Sequence, residues 1–385
     1  MAERIDILIA GGGPVGTALA LALQTSGLSV VLTEARRADA NGAHCGKSAD
    51  VRAIALSYAS RLILERLNAW SGLAATPIES VHISQRGGFG RTLICAAECG
   101  VPALGYVVTY DNLQRGLLAV PCAGRRIFGA KLTGFDGATA TVLAQDGELS
   151  FAPRLTILAD GARKTDDGRA PAYNKDYRQS AVIALVKAAQ AHRGRAWERF
   201  TPEGPLALLP FGENYGLVWT TSPERATHLC ALDTPSFLEE LHAAFGGRLG
   251  AFVEAGERAS FPLALRYRQE ESQPHSLSIG NAAQTLHPVA GQGFNLGLRD
   301  AWELALLARD AQELGSDRFC ARYRRARALD RRAGIQFTDG LVGLFSNSNP
   351  LLELGRGAGL LALDLAPIAR RFVARRMIFG ARALP

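Results

Sequence analysis

Apolar runs separated by glycine-rich or polar breaks organise the chain, beginning with its first residues. Residues 5–10 are mostly apolar and end in glycines, 14–24 are compatible with a helix, and 28–33 are apolar again. Two apolar runs around a helix-length segment predict a β-α-β unit, and runs without alternation predict strands buried on both faces, as in a parallel sheet covered by helices. The pattern predicts a helix over 57–67, then strand-like structure across 80–109, where Val81, Ile83, Leu93 and Ile94 surround Gly87-Gly88-Phe89-Gly90. Residues 155–159 read as a strand closed by Asp160-Gly161. Farther on, 181–186, 206–209 and 216–220 read as strands, with a helix at 235–245, so the region from about 180 to 265 is expected to be mainly β. A strand at 277–280 returns to the first region, followed by a glycine-rich turn and a helix over about 295–314. The helix expected at 318–332 would hold Arg318, Arg322, Arg325 and Arg332 close to one face.

Composition narrows the class. With 385 residues, 48% of them hydrophobic and 21% charged, the chain can bury a substantial core and is neither disordered nor collagen-like. Its net charge is +7 and its pI about 9.3, which admits an anionic partner, yet no nucleic-acid-binding module accompanies the charge and none is expected to be bound. The lysines are Lys47, Lys131, Lys164, Lys175 and Lys187, so most basic residues are arginines, many of them from Arg318 onward. Cys45, Cys95, Cys99, Cys122, Cys230 and Cys320 form no C-x-x-C pair, which fits free thiols in a reducing, cytoplasmic compartment. Cys95 and Cys99 with His82 make the one metal candidate; buried thiols are the simpler reading, and no metal is expected. Residues 7–33 carry no charge, but Gly11-Gly12-Gly13-Pro14 and Gln24-Thr25-Ser26-Gly27 cut them into pieces too short to span a membrane.

Candidate chemistry begins at Gly11-x-Gly13-x-x-Gly16, between a strand and a helix. Gly11 permits the tight turn, Gly13 lets backbone approach a pyrophosphate, and Gly16 lets helix and strand pack closely, with the helix N-terminus facing the anion. Glu34 ends the second strand, where a carboxylate accepts from ribose hydroxyls and favours FAD or NAD over NADP. This motif alone does not separate FAD from NAD.

The segment Gly280-Asn-Ala-Ala-Gln-Thr-Leu-His-Pro-Val-Ala-Gly-Gln-Gly-Phe-Asn-Leu-Gly-Leu-Arg-Asp300 resembles the flavin-binding segment of the FAD-dependent aromatic hydroxylases, the para-hydroxybenzoate hydroxylase fold. Gly291 and Gly293 allow backbone N–H groups to face a ligand at a helix start, where they would stabilise negative charge on a reduced flavin. The resemblance further implies FAD contacts from Gly280, Asn281, Pro288 and Asn295, with Pro288 shaping the flavin face. His287 is a candidate for proton transfer or polarisation near the flavin, or a cap for the following turn. Asp50-Val-Arg-Ala-Ile-Ala-Leu56 resembles the family's arginine-containing segment, which implies that Arg52 sits over the pyrophosphate or the isoalloxazine edge; a surface salt bridge is the simpler role. Leu158-Ala-Asp-Gly-Ala-Arg163 resembles its Asp-Gly motif, implying FAD contacts from Asp160 and Gly161; a strand-ending turn is the alternative. Residues 82–87, 194–210, 244–250 and 260–265 are similar to the ubiquinone-biosynthesis group of the family, and most of all to its 2-polyprenyl-6-methoxyphenol hydroxylases. Thr109, where an acidic residue is common, and Asn281, where the soluble phenol hydroxylases carry Asp, depart from the pattern.

The resemblance implies an α/β protein: a Rossmann-like FAD-binding domain with an inserted mainly β substrate domain and a C-terminal helical segment. The expected division is 1–78, 107–178 and 277–335 for the FAD domain, 79–106 and 179–276 for the substrate domain, and 336–385 for the helical region. The implied activity is hydroxylation of a polyprenylated phenol in ubiquinone biosynthesis, with NADPH or NADH as co-substrate and O2 activated as a flavin C4a-hydroperoxide. A hydroxylase of a small soluble phenol, an NAD-dependent dehydrogenase and a non-catalytic flavoprotein subunit of a quinone-biosynthesis complex are the alternatives. The C-terminal stretch 351–385 mixes apolar residues with Arg356, Arg370, Arg371, Arg375, Arg376 and Arg382, as expected either of a peripheral contact with the inner membrane or of a helix packed on the FAD domain.

Overall fold

The apolar run at the start of the chain becomes the middle strand of a parallel sheet. In the computed structural model, which describes residues 1–37, 52–161, 173–268, 273–345 and 350–381, strand Glu3–Ala10 lies between Val30–Glu34 and Gly147–Leu158. Arg125–Phe128 extends the sheet beyond Val30–Glu34, and Ser276–Ser278 adds to the far side of Gly147–Leu158. Cys45, Asp50, Arg163 and Arg382, named above, lie outside the described residues.

Burial on both faces explains the absence of alternation. Ile7 and Ile9 join a cluster with Leu19, Leu298 and Leu304 beneath helices Pro14–Ala22 and Gln292–Arg309. Leu8 and Val31 point the other way, against Phe151 of Gly147–Leu158 and against Phe135 and Val142 of an antiparallel extension built from Lys131–Phe135 and Ala140–Ala144. Strand Gly147–Leu158 serves both arrangements along one edge, pairing antiparallel with Ala140–Ala144 at its start and parallel with Ser276–Ser278 at its end.

A second sheet has nine strands. Its main path runs Gln284–Thr285, Ala259–Tyr267, Tyr173–Ala188, Asn214–Thr221, Gly204–Phe211, Arg195–Thr201, Ser80–Gln85 and Arg91–Cys95. Here the period of two is clean. Val182, Leu208, Leu217 and Trp219 pack on Leu229, Phe237 and Leu241 of helices Pro223–Ala231 and Thr234–Phe245, and the alternate residues face the other side. The boundary expected at 178/179 falls inside Tyr173–Ala188, at a register shift against Ala259–Tyr267 between Asp176 and Gln179. A small sheet of Ala53–Ser57, Gly105–Thr109 and Thr76–Ile78 stands between the two large ones.

The C-terminal helices run Asp317–Phe345, Pro350–Leu365 and Pro367–Phe379. Arg318, Arg322, Arg325 and Arg332 are exposed and form a solvated face, whereas Tyr323, Arg327 and Asp330 of the same helix are buried. Among the described residues no helix is long and apolar enough to cross a membrane.

Candidate functional site

The first glycine turn is held by its immediate surroundings. Gly11 has φ +118°, and a Cβ there would lie 2.5 Å from the Ala159 carbonyl; a Cβ on Gly16 would lie 2.0 Å from the Gly11 oxygen. Both positions therefore require glycine, for conformation at the first and for close approach at both. Gly12 N–H donates to Glu34 Oε2 at 2.7 Å, and Arg36 N–H donates to Glu34 Oε1 at 2.8 Å, so the carboxylate is fixed at the turn. Thr17 Oγ1 and Gln114 Nε2 donate to the Gly12 carbonyl at 2.9 and 2.8 Å.

The second turn is held from a distance. Gly291 adopts the left-handed conformation and opens helix Gln292–Arg309, three residues earlier than the pattern suggested, because a glycine permits that reversal. Asn295 fastens it: Nδ2 donates to the carbonyls of Gly291 and Ala55 at 2.7 and 2.9 Å, while Oδ1 accepts from Ser57 N–H at 2.8 Å and Ser60 Oγ at 2.7 Å. Gly280 N–H donates to Asp300 Oδ2 at 3.2 Å, as does Gln284 Nε2 at 2.7 Å. Arg327 bridges Asp300 and Asp330 at 2.7 Å each, and Arg299 also meets Asp330 at 2.7 Å. Burial opposes ionisation of Asp330, but Arg299 and Arg327 outweigh it and hold the carboxyl well below its ordinary range. This buried ion cluster ties the turn to the long C-terminal helix.

His287 is buried, and its Nδ1 accepts from Val289 N–H at 3.1 Å, so the imidazole caps the turn. Burial lowers its pKa to about 4, which makes it neutral near pH 7.

Both turns border one continuous cavity of about 1330 Å³. Gly11, Gly13, Glu34, Arg52, Asp160 and Gly161 line one end; Gly280, Asn281, Pro288, Gly291 and Gly293 line its middle. Gly16, His287 and Asn295 do not line it and act behind the surface. Arg52 lies over the rings of Tyr110 and Phe261, at 5.2 and 5.5 Å from their centroids.

Two helices that start at this cavity lack the side-chain cap that four others have, as do Ala96–Cys99 and Pro367–Phe379 away from the turns. Ser57, Thr109, Ser222 and Asp233 cap their helices by accepting from backbone N–H groups. The helices starting after Gly13 and Gly291 have no side-chain cap, leaving orphan donors at the cavity. A Cβ on Gly13 would meet only Tyr110 Oη, at 3.6 Å, and one on Gly293 would meet nothing within 4 Å, so the open space there is the cavity itself. Two uncapped helix starts with bare backbone suit an anionic pyrophosphate at one turn and a flavin ring carbonyl at the other, which is the fit expected for FAD.

Beyond the turns, the cavity runs along the inner face of the nine-stranded sheet to the C-terminal helices, where Leu352, Leu360 and Met377 line it. Arg356 and Arg370 are turned inward: Arg356 donates to Gln85 Oε1 at 3.2 Å, and Arg370 pairs with Glu98 at 2.8 Å. These two arginines bind the helices to the protein. Among the described residues no group of three metal-ligating side chains occurs, and Cys95 and Cys99 are free thiols raised in pKa by burial. Sequence reasoning passed over Gly12, Tyr110, Gln114, Asp300 and Arg327. Asp300 closes the flavin-like segment and Arg327 precedes Asp330 by one helical turn, so both carried a faint signal; Gln114 carried none.

Residues 124–338 match the family model described as FAD binding domain. The chain is 34% identical to ubiquinone hydroxylase UbiL of Rhodospirillum rubrum, over 97% of this chain and 89% of that protein. It is 31% identical to 3-demethoxyubiquinol 3-hydroxylase of Escherichia coli, over 96% and 97% of the two chains. Among solved structures, p-nitrophenol 4-monooxygenase PnpA of Pseudomonas putida shares the fold at TM-score 0.74 and 16% identity, with 98% of each chain covered.

Proposed function

We infer the reaction from one premise: the chain belongs to the FAD-dependent aromatic hydroxylases, in the group that acts in ubiquinone biosynthesis, and is an FAD-dependent monooxygenase that uses NAD(P)H and O2. We propose that its substrate is a polyprenylated phenol. The observation that carries this reading is the length and lining of the cavity: it continues past the flavin turns along an apolar wall to the C-terminal helices. Its volume of about 1330 Å³ includes the space for FAD, and the part beyond the flavin turns is lined by Ala181, Ile183, Leu209, Leu352 and Leu360.

FAD, when bound, supplies the redox chemistry that activates O2. The residues around it bind and orient. The N–H groups at Gly13 and the following helix start would hold the pyrophosphate, and Glu34, already fixed by Gly12 and Arg36, would accept from the ribose hydroxyls. Asp160, Gly161 and Arg52 line the cavity beside this turn and would hold the ribityl region and the cofactor edge. Gly291 N–H is taken up by the Pro288 carbonyl at 2.9 Å, so the donors left to the ring carbonyl would be the N–H groups at Gly293 and the helix start behind it, which would stabilise charge there. Asn295 and His287 are positioning residues for that turn, and Pro288 shapes its face. The apolar wall excludes water from the reacting ring.

The C-terminal helices supply the route for the prenyl tail. Leu361, Leu365, Ile368 and Phe372 are exposed beside the exposed Arg371, Arg375 and Arg376. Apolar and basic groups on one surface favour peripheral contact with an anionic membrane. Incubating the holoenzyme with 2-geranyl-6-methoxyphenol, NADPH and isotopically labelled O2 tests the reaction: one labelled oxygen in the product is expected, and its absence overturns the substrate assignment. Leu365→Ser/Ile368→Ser/Phe372→Ser should abolish cosedimentation with anionic vesicles while FAD stays bound; unchanged cosedimentation rules out this surface.

A further inference from the structure

The inner face of the nine-stranded sheet carries one ionisable side chain among the described residues that line the cavity. Ala181, Ile183, Ala207, Leu209 and Val218 are typical of this wall, and Thr220 is polar but not titratable. Glu198 is the exception. It lies on strand Arg195–Thr201, with Ala196 and Phe200 on the same face, about 7 Å to either side at the usual rise per residue. Its register partners are Ala207 on one flanking strand and Ile83 on the other, and its carboxyl has no hydrogen-bonding partner among the described residues.

The neighbours of Glu198 place it opposite the flavin turn. Ala196 packs in one cluster with Ala53 and Ala55, and Ala55 Cβ lies 3.1 Å from where a Cβ on Gly291 would stand. Phe200 packs in another cluster with Val289 and stacks on Phe345 at 3.7 Å between ring centroids. The residue between Ala196 and Phe200 therefore faces the space in front of the 289–291 turn. Such a solitary carboxyl gains nothing for the fold, since burying it without a partner costs free energy.

We propose that Glu198 is a catalytic residue whose carboxylate takes the ring-hydroxyl proton of the phenol during hydroxylation and returns it afterward. The proposal rests on the phenol hydroxylase reading above. As the C–O bond forms and the O–O bond of the reduced O2 breaks, the second oxygen atom leaves with that bond's electron pair and ends as water; in the same step the phenol O–H bond breaks, its electron pair flows into the ring, and the proton goes to Glu198. The resulting dienone then loses the proton on its oxygenated carbon to water, while Glu198 returns its own proton to the ring oxygen. The carboxylate is regenerated, and no oxidant or reductant beyond O2 and NAD(P)H is needed.

Burial alone raises the Glu198 carboxyl to about 7, near the value that suits a base working at neutral pH. No titratable group faces it from the two flanking strands, the 288–291 turn or helix Asp317–Phe345 along the cavity lining; Arg356 is the charged residue contributed by helix Pro350–Leu365, and Arg52 and Tyr110 stand toward the end lined by Gly11 and Gly13. The base-competent form grows as pH rises through about 7, so hydroxylation should rise with it.

The experiment compares wild type, E198Q and E198D holoenzymes, each checked for bound FAD by absorbance, on 2-geranyl-6-methoxyphenol and on its O-methyl ether, which has no ring proton to give. With the phenol, E198Q should lose roughly 10²- to 10⁴-fold in kcat, with KM changed far less, and should lose the rising limb near pH 7. E198D should restore part of the rate and the limb. With the ether, wild type and E198Q should be equally slow. An E198Q enzyme that keeps wild-type kcat and the limb overturns Glu198 as the base and leaves the hydroxylase reading standing. A wild-type holoenzyme that hydroxylates neither probe overturns that reading, and the proposal with it.

Discussion

The turn at Gly11–Gly13 and the turn at Gly280–Gly293 border the same cavity, yet they are supported in different ways. The first draws its side-chain contacts chiefly from the β-α-β unit that contains it, through Glu34 and Thr17, with the Ala159 backbone at the end of strand Gly147–Leu158 and Gln114 of helix Tyr110–Ala119 closing on it from farther along the chain. The second depends on Asn295 reaching Ala55, Ser57 and Ser60, and on Asp300 reaching Arg327 in another helix. A local turn forms as soon as its own strand and helix pair. A turn held from a distance exists only once the domain has closed around it, so its geometry is coupled to global stability.

The largest test of this contrast is Arg327→Met. It leaves Asp300 without its cation, and breaking such a buried pair costs about 3–5 kcal/mol. Thermal denaturation should show that loss together with loss of FAD; a variant within about 1 kcal/mol of wild type would mean the ion cluster is not what supports the second turn. Asn295→Ala comes next, since it orphans the Ser57 N–H and the Gly291 and Ala55 carbonyls. At about 1–3 kcal/mol for a buried group left unpaired, and with some relaxation, about 2–4 kcal/mol is expected in urea unfolding. Glu34→Gln should do the least to stability, under about 1 kcal/mol, because an amide oxygen can still accept from Gly12. FAD affinity should nonetheless fall about tenfold or more, as charge-assisted bonds to the ribose become neutral ones. Equal losses of stability in Glu34→Gln and Asn295→Ala would erase the distinction between the turns.

How much of this was legible depends on where each contact comes from. Gly11, Gly13, Gly16 and Glu34 sit at spacings that a single β-α-β unit imposes, so they could be read from the chain. Gly12 belongs to that turn but escaped notice, because its requirement comes from the Glu34 side chain, 2.8 Å from where its Cβ would be. The Gly280–Asp300 segment was recognisable as a whole, but the division of labour within it was not. Gly291 and Gly293 line the cavity, while His287 and Asn295 work behind it, and only the packing of Ala53–Ser57 against the helix separates those roles. The arginines of the C-terminal helices show the same limit. Composition grouped Arg356 and Arg370 with Arg371 and Arg375, but contacts with Gln85 and Glu98 turn the first two inward.

The sequence by itself determined the parallel unit at the start, the glycines at 11 and 16, and the strands at 206–209 and 216–220. Those features follow from backbone conformation and side-chain period, which are local. Alternation divides a strand into two faces without stating what covers either one. Tertiary structure decided that: helices Pro223–Ala231 and Thr234–Phe245 close over the face bearing Leu208 and Trp219, while the C-terminal helices stand off the other and leave a cavity. Glu198 faces that cavity because of this choice. A one-residue change of register would have turned it onto the packed helices, where an unpaired carboxyl could not be sustained.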